Sequence, residues 1–396
     1  MKLPASHSRF ASSIATMFAV ALGSGLGLAG SADAQIPVPL GLNGATVSVL
    51  VQDGLNNPRG LKFGPDGKLY VAEAGFPSGV LTYAPAGLGG NCSAGASGPG
   101  DYYGSPTGSR ILQINATNGD VTTFVDGLPS SVSGGAPGIP PLPFGPTAPT
   151  IASGVADVAF IGNTMYAILA GSGCSHGVLA PNEVIRVNPN GSVTPIANLS
   201  AYQQAHPVAN PEDPISGDFE PDGTWYSMIA VRGDLYAVEP NHGEVVKVTT
   251  SGDVSRLVDV SAHYGHIVPT AIAYHGNFYV GNLDEFIIPD GSSKVFKITP
   301  SGNIKVDTSG FSVVTGVVFD SRARMYVLEA TDSQTLSSPG RIVRVDPSGR
   351  QQVIVTGLTT PTAMTMGPDG ALYVSNVGFG PPPVGLGQIV KVVLPK

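Results

Sequence analysis

The sequence predicts an all-β fold, a six-bladed β-propeller with four-stranded blades and an N-terminal strand closing the last blade. Three observations predict it. The chain of 396 residues holds 53 glycines and 35 prolines but only 12% charged residues, so it is rich in turns and poor in the charged faces of surface helices. One strand is written repeatedly: KLYVAEAG, from Lys68 to Gly75, returns as TMYAILAG, DLYAVEPN, NFYVGNLD, RMYVLEAT and ALYVSNVG. The tyrosines of these copies are Tyr70, Tyr166, Tyr236, Tyr279, Tyr326 and Tyr373, and the last four stand 43, 47 and 47 residues apart, the repeat length of a four-stranded blade.

Each unit reads alike. An apolar inner strand runs into a tight turn, as in LKFGPDGKLY, IAVRGDLY or MTMGPDGALY, and the Tyr strand follows. A loop leads to a third strand (RILQIN, EVIRVN, EVVKVT, KVFKIT, RIVRVD, QIVKVV), and then comes a second turn such as TNGD, NPNG or DPSG. Proline presets φ, glycine supplies the positive φ such turns need, and β-branched residues fill the strands between. The last unit ends at Val392 to Leu394 without a fourth strand, while TVSVLVQ, Thr46 to Gln52, precedes the first unit with no partner. Pairing the two closes the ring and removes its free edges.

Residues 1–34 read as a signal peptide: Lys2, His7 and Arg9 precede an apolar run from Phe10 to Leu28, and Ala32-Asp33-Ala34 has the small-residue cleavage pattern. Residues 35–396 are then a single propeller domain, secreted or periplasmic, and no later run is long enough to span a bilayer. Export permits a disulfide. Cys92 and Cys174 both lie in Gly/Ser-rich segments, and a bridge between them is the expectation, with two free thiols as the alternative. A net charge of -8, with Lys and Arg scattered singly, gives no basic stripe for a phosphate backbone, which argues against nucleic acid as a partner.

The surplus length gathers at one rim, in segments 74–108, 130–153, 200–224, 283–292, 330–340 and 377–387, and long loops on one face of a rigid scaffold are where binding resides. Three residues after each repeated Tyr come Glu73, Leu169, Glu239, Asn282, Glu329 and Asn376. A ring of carboxylates and amides suggests calcium at the channel mouth, yet second-strand side chains on alternate blades stand too far apart for ligand distances of about 2.3–2.6 Å around one ion. Bonds to neighbouring loop backbone are the competing expectation.

Aligned on their turns, the innermost strands place Arg59, Ala156, Ser227, Thr270, Thr315 and Thr362 at equivalent heights, one basic residue among small ones. Arg59 needs a counter-charge or an anionic ligand, and Glu73 on the same blade is the expected partner. Blade three has the richest approach: Asp218, Glu220, Trp225 and Tyr226 precede its inner strand, and Glu239, Asn241 and His242 follow its Tyr strand. This set suits stacking and acid/base work, with Glu239, His242 and Glu220 as catalytic candidates; loop packing by Trp225 and a turn at Asn241-His242-Gly243 is the alternative. The stretch Gly173-Cys174-Ser175-His176-Gly177 matches G-x-S-x-G but is followed by Pro181 and a strand, where a nucleophile elbow needs a helix.

With these residues in place, the chain resembles the ScyD/ScyE family of secreted six-bladed propellers, allied to NHL-type and gluconolactonase-like propellers. The resemblance rests on GLNNPRGLKFGPDGKLYVAEAG, VEPNHGEVVKV, VPTAIAYHGNFYVGNLDEF, RMYVLEA with PGRIVRVDPSG, and GPDGALYVSNVGF. It implies the fold and no assigned reaction. Gluconolactonase-like relatives hold a divalent ion near the axis, where this sequence offers Ser and Thr. Members often pair cysteines within the first loop and often read Asn-Pro-Tyr-Gly where this chain has DFEPDGTWYSM. The expectation is a rim that binds a small-molecule or sugar-like ligand, with or without catalysis, or else a non-catalytic scaffold for a protein or glycan.

Overall fold

The structure is a computed structural model, and it describes residues 36, 38–84, 102–133, 152–211, 220–284, 288–331, 338–379 and 385–395. Six antiparallel sheets follow one another around a ring. Blade one contains Pro58–Phe63, Leu69–Glu73, Tyr102–Ile114 and Val121–Ser133; blade two contains Val155–Ile161, Thr164–Leu169, Glu183–Val187 and Val193–Asn198. Blade three runs through Ser227–Val231, Asp234–Glu239, Glu244–Val248 and Val254–Asp259, and blade four through Pro269–Tyr274, Phe278–Asn282, Ser293–Ile298 and Ile304–Phe311. Blade five holds Val314–Phe319, Met325–Glu329, Gly340–Val345 and Gln351–Leu358. Blade six joins Ala363–Met366, Leu372–Asn376 and Gly387–Val393 to the N-terminal strand Thr46–Leu55, with Thr46 opposite Val393 and Val47 opposite Val392. The ring therefore closes as the unpaired N-terminal strand implied.

The core lies between blades rather than within one. Successive apolar clusters join blades one and two around Tyr70 and Ile185, two and three around Ile168 and Trp225, and three and four around Val245 and Phe278. Others join four and five around Phe311 and Val327, five and six around Leu328 and Leu372, and six and one around Tyr373 and Leu61. A blade alone leaves its faces wet, so the strand is repeated because each copy buries its neighbour.

The recurrent tyrosine has a local cause. Its hydroxyl donates to the acidic residue of the preceding turn, 3.0 Å in Tyr70–Asp66, Tyr326–Asp320 and Tyr373–Asp369. The first glycine of Gly-Pro-Asp-Gly makes room for the ring, since a Cβ on Gly64 or Gly367 would come within 2.6 or 2.5 Å of the Tyr70 or Tyr373 edge.

The structure also departs from expectation. Tyr102–Ile114 and Val121–Ser133 are 13 residues each, longer than RILQIN suggests, and they rise past the ring to pair with Thr82–Ala84 and Ala152–Ser153. Leu40–Gly41 adds an outer strand to blade five. Two short helices, Leu199–Ala205 and Ser261–Tyr264, sit in connections, the first capped by the Asn198 side chain accepting from the Ala201 N–H. They are too short to show an amphipathic period. Among the described residues no helix is long and apolar enough to cross a membrane.

Candidate functional site

The aligned inner-strand residues form a belt of hydrogen bonds around the channel. Ser227 of blade three donates to Thr270 O of blade four, Thr270 to Val314 O of blade five, Thr315 to Pro361 O at the start of blade six, and Thr362 to Pro58 O of blade one. Arg59 Nη2 reaches Ala152 O, 2.5 Å away, on the connector into blade two. Ala156 has no donor, and its neighbour Asp157 takes over: Oδ2 accepts from Met228 N of blade three at 2.9 Å, Oδ1 accepts from Val158 N at 2.8 Å, and Lys62 Nζ stands 3.4 Å away. Asp157 is buried, which pushes its carboxyl pKa upward against the pull of Lys62. The inner hydroxyls are thus already engaged with backbone carbonyls. Among the described residues no group of three or more His, Cys, Asp or Glu side chains converges as a metal centre would require.

Two long side chains occupy the mouth. Tyr226, just before the inner strand of blade three, donates its hydroxyl to Thr362 O of the opposite blade at 2.8 Å. The Arg59 guanidinium lies over the Phe379 ring, 4.1 Å from its centroid. Surrounding protein lowers the Arg59 pKa to about 10, with the nearby Tyr226 working the other way. The Tyr226 phenol is pushed well up by the same burial, Arg59 opposing and Asp157 reinforcing. Both residues keep a minority of their surface exposed, although the protein packed around their charged ends is dense enough to shift both groups.

The expected Arg59–Glu73 pair is absent. Glu73 lies directly across from Arg110 on the third strand and accepts from Arg110 Nε at 2.6 Å, which leaves Arg59 without a carboxylate among the described residues. The register holds the reason. Pro58, not Arg59, is opposite Glu73, and the strand shifts register immediately beyond.

The residues three places after the tyrosines are all buried; Leu169 belongs to the apolar core, while Glu239, Glu329, Asn282 and Asn376 fasten loops to blades. Glu239 accepts from the N–H groups of Thr224 (2.7 Å), Asn241 (3.2 Å) and His242 (2.5 Å). Glu329 accepts from Ser312 N at 2.6 Å and is clasped by Arg341, Nε to Oε2 at 2.5 Å and Nη2 to Oε1 at 3.1 Å. Asn282 donates to Ile267 O and accepts from Lys294 N; Asn376 accepts from Thr359 N and donates to Gln388. Each holds the segment that crosses from the preceding blade. Glu244, opposite Glu239, is paired with Arg256 instead.

Glu220, Trp225, Glu239, Asn241 and His242 come together but are buried. Trp225 is 1% exposed and belongs to the core between blades two and three, so its ring face offers no stacking surface at the rim. Glu220 N donates to Asn241 Oδ1 at 2.9 Å, and His242 Nε2 contacts Glu220 O at 3.0 Å. The Glu220 carboxylate stands 3.6 Å from His176 Nε2 and 3.5 Å from the Tyr102 hydroxyl, and the Tyr102 and His176 rings meet edge-on at 4.2 Å. Ser175, of the G-x-S-x-G match, is buried and donates to Asp222 at 2.8 Å. Asp218 and Cys92 lie outside the described residues, and with Cys92 the expected bridge to Cys174. Sequence reasoning missed Asp157 and Arg110 on the strands, and Ala152 and Phe379 on rim segments. Phe379 has a visible signal as the aromatic closing the VSNVGF stretch.

No protein-family model and no curated protein matches the chain. Solved structures do match in shape. A protein of unknown function from Bacteroides thetaiotaomicron shares a TM-score of 0.52 at 13% identity, over 88% of this chain and 76% of that one. The PQQ-bound aldose sugar dehydrogenase of Streptomyces coelicolor shares 0.52 at 14% identity, over 89% and 99%. A gluconolactonase from Xanthomonas campestris shares 0.50 at 10% identity, over 93% and 98%. Likeness at these identities establishes the propeller fold and leaves activity to the residues of the site.

Proposed function

We propose that the chain is an exported propeller that binds a small anionic ligand, one bearing a carboxylate, at the channel mouth on its loop-bearing rim, with Arg59 as the charged anchor. The observation that carries this reading is Arg59 itself: a largely buried guanidinium in the ring's mouth with no carboxylate partner among the described residues. One Nη2 bond to Ala152 O fixes its orientation, Phe379 supports one face, and the remaining N–H groups suit a planar carboxylate bound at two points. Tyr226 supplies a phenol beside it. Export is supported by the order of basic, apolar and small residues in segment 1–34, and membership of the ScyD/ScyE family by the motifs of five blades.

Two named enzymes among the fold neighbours, an aldose sugar dehydrogenase and a gluconolactonase, support extending this reading to an enzyme acting at the same mouth. The state of Glu220, Glu239 and His242 favours the second reading, binding without catalysis, because their polar atoms serve loop-to-loop bonds.

The test is a thermal-shift and calorimetric titration with gluconate, benzoate and neutral glucose, on the parent protein and Arg59→Met. The two carboxylates should raise the parent melting temperature and lose that effect in Arg59→Met; a ligand at a hundred times its Kd is worth about 2.7 kcal/mol of stability. Absence of any carboxylate shift in the parent, or equal shifts in both proteins, overturns the anion reading.

A further inference from the structure

Blade one carries a cleft of about 670 Å³ on the outer side of its rim, lined by Asn56, Glu73, Phe76, Pro77, Arg110 and Asp126 among others. This is the size range of small-molecule sites. Two polar atoms on its walls are left over, as Glu244 Oε1 is on blade three, but here they line a cleft. Glu73 is 1% exposed; Arg110 meets its Oε1 through Nε and the Asn56 N–H also draws on the carboxylate, yet Oε2 completes no hydrogen bond. Asn56 Oδ1, on the same wall, is also buried without a partner. A buried acceptor without a donor costs about 1–3 kcal/mol, so such atoms in a cleft point to something that supplies donors.

Blade five provides an internal control. There the same cross-strand pair, Glu329 opposite Arg341, is saturated, both carboxylate oxygens accepting from the guanidinium and one also from Ser312 N. The two blades differ at the bulge in the fourth strand. Asp53-Gly54-Leu55, Asp126-Gly127-Leu128, Ser309-Gly310-Phe311 and Thr356-Gly357-Leu358 are copies of one bulge, its glycine at φ between 70° and 92°. In blade five the residue before that glycine is Thr356, opposite Arg341; in blade one it is the exposed Asp126, carried beside Arg110 and lining the cleft. A bulge re-aims the side chains it carries. Blade one thus combines an unfilled buried carboxylate oxygen, a second carboxylate, a guanidinium with its Nη edge unspent, and the half-buried ring of Phe76.

We propose that this cleft binds a polyhydroxylated ligand, a pyranose unit of a sugar or glycan, whose adjacent hydroxyls donate to Glu73 Oε2 and Asp126 and accept from Arg110, with a face of the ring against Phe76. Donors and acceptors side by side match a hydroxyl, which is both, and an aromatic face matches the C–H face of a sugar ring. A divalent cation fits less well, since it would share the cleft with the Arg110 charge. The site is separate from the Arg59 mouth.

Saturation-transfer NMR on the full chain with glucose, galactose, mannose and cellobiose tests it, with affinities from titration. At least one sugar should receive saturation from the parent protein. Asp126→Asn and Phe76→Ala should each weaken it about tenfold or more, while Thr356→Ala at the matching bulge of blade five and Arg59→Met leave it unchanged. Asp126 is exposed, so its variant tests the cleft even if Phe76→Ala does not fold. The proposal is overturned if none of the four sugars receives saturation, if Asp126→Asn binds as the parent does, or if Arg59→Met removes the signal and so places the sugar at the mouth.

Discussion

The Tyr226 hydroxyl lies 2.8 Å from Thr362 O, and these two residues belong to blades three and six, on opposite sides of the ring. Most contacts in the molecule join neighbours; this one spans the channel. Tyr226→Phe keeps the ring and removes only that partly buried bond, so it should cost about 1 kcal/mol in urea unfolding, the typical net worth of one hydrogen bond. An unchanged midpoint would show that the hydroxyl is equally well satisfied by water.

Closure depends on the N-terminal strand, whose ladder with Gly387–Val393 is the fourth strand of blade six. Deleting residues 46–55 exposes an edge and uncovers the cluster shared by blades six and one, to which Val51 and Leu55 belong. The truncated protein should melt cooperatively at a clearly lower temperature by calorimetry, with no blade surviving separately. A transition at the parent temperature contradicts a closed ring.

Gly60 has no room for a side chain, because a Cβ there would sit 1.9 Å from Asp157 Oδ1. Gly60→Ala should destabilise the fold by about 3 kcal/mol, at the upper end for overpacking. The cause is specific, so Gly60→Ala combined with Asp157→Ala should cost less than the sum of the two single changes. Strict additivity in a double-mutant cycle would place the damage elsewhere.

Burial raises the carboxyl pKa values of Glu73, Asp157, Glu239 and Glu244 above the ordinary 4.5 for Glu and 3.8 for Asp. At these groups the folded chain binds protons more readily than the unfolded chain, so their contribution is fully present below the unfolded pKa and is lost as pH rises through the folded one. Asp259, Asp320 and Asp369 run the other way: against partial burial, hydrogen bonds from Ser261, Arg324 and Lys391 among others hold them below 3.8, and their contribution fades as pH falls through those lower values. Melting temperature measured from pH 4 to 8 should therefore peak on the acid side of neutrality. A steady rise up to pH 8 would contradict this assignment.

The ring was legible in the sequence because a propeller is periodic, and Tyr70 to Tyr373 mark the period openly. The belt was half legible: alignment put Ser227, Thr270, Thr315 and Thr362 at one height, but each hydroxyl's acceptor lies on the next blade, and a linear alignment carries no information across blades. The Arg59–Glu73 expectation failed on register. Arg110 and Arg341 stand on the third strands opposite Glu73 and Glu329, and each is the first residue of a repeated stretch, RILQIN and RIVRVD. The burial of Trp225 and Glu220 was not legible, because the depth of a loop residue is set by what folds over it.

A ring sewn shut by its own two ends has no privileged starting point. The neighbourhood of Gly44 and Pro395, 3.3 Å from a would-be Cβ of one to the Cβ of the other, brings the beginning and the finish of the propeller side by side. A short linker across that gap, with the chain opened instead at the Arg232-Gly233 turn, would leave every blade its neighbours while changing which blade is synthesised first. In such a permuted chain the seam would move into blade three, and blade six would become an ordinary continuous hairpin sheet.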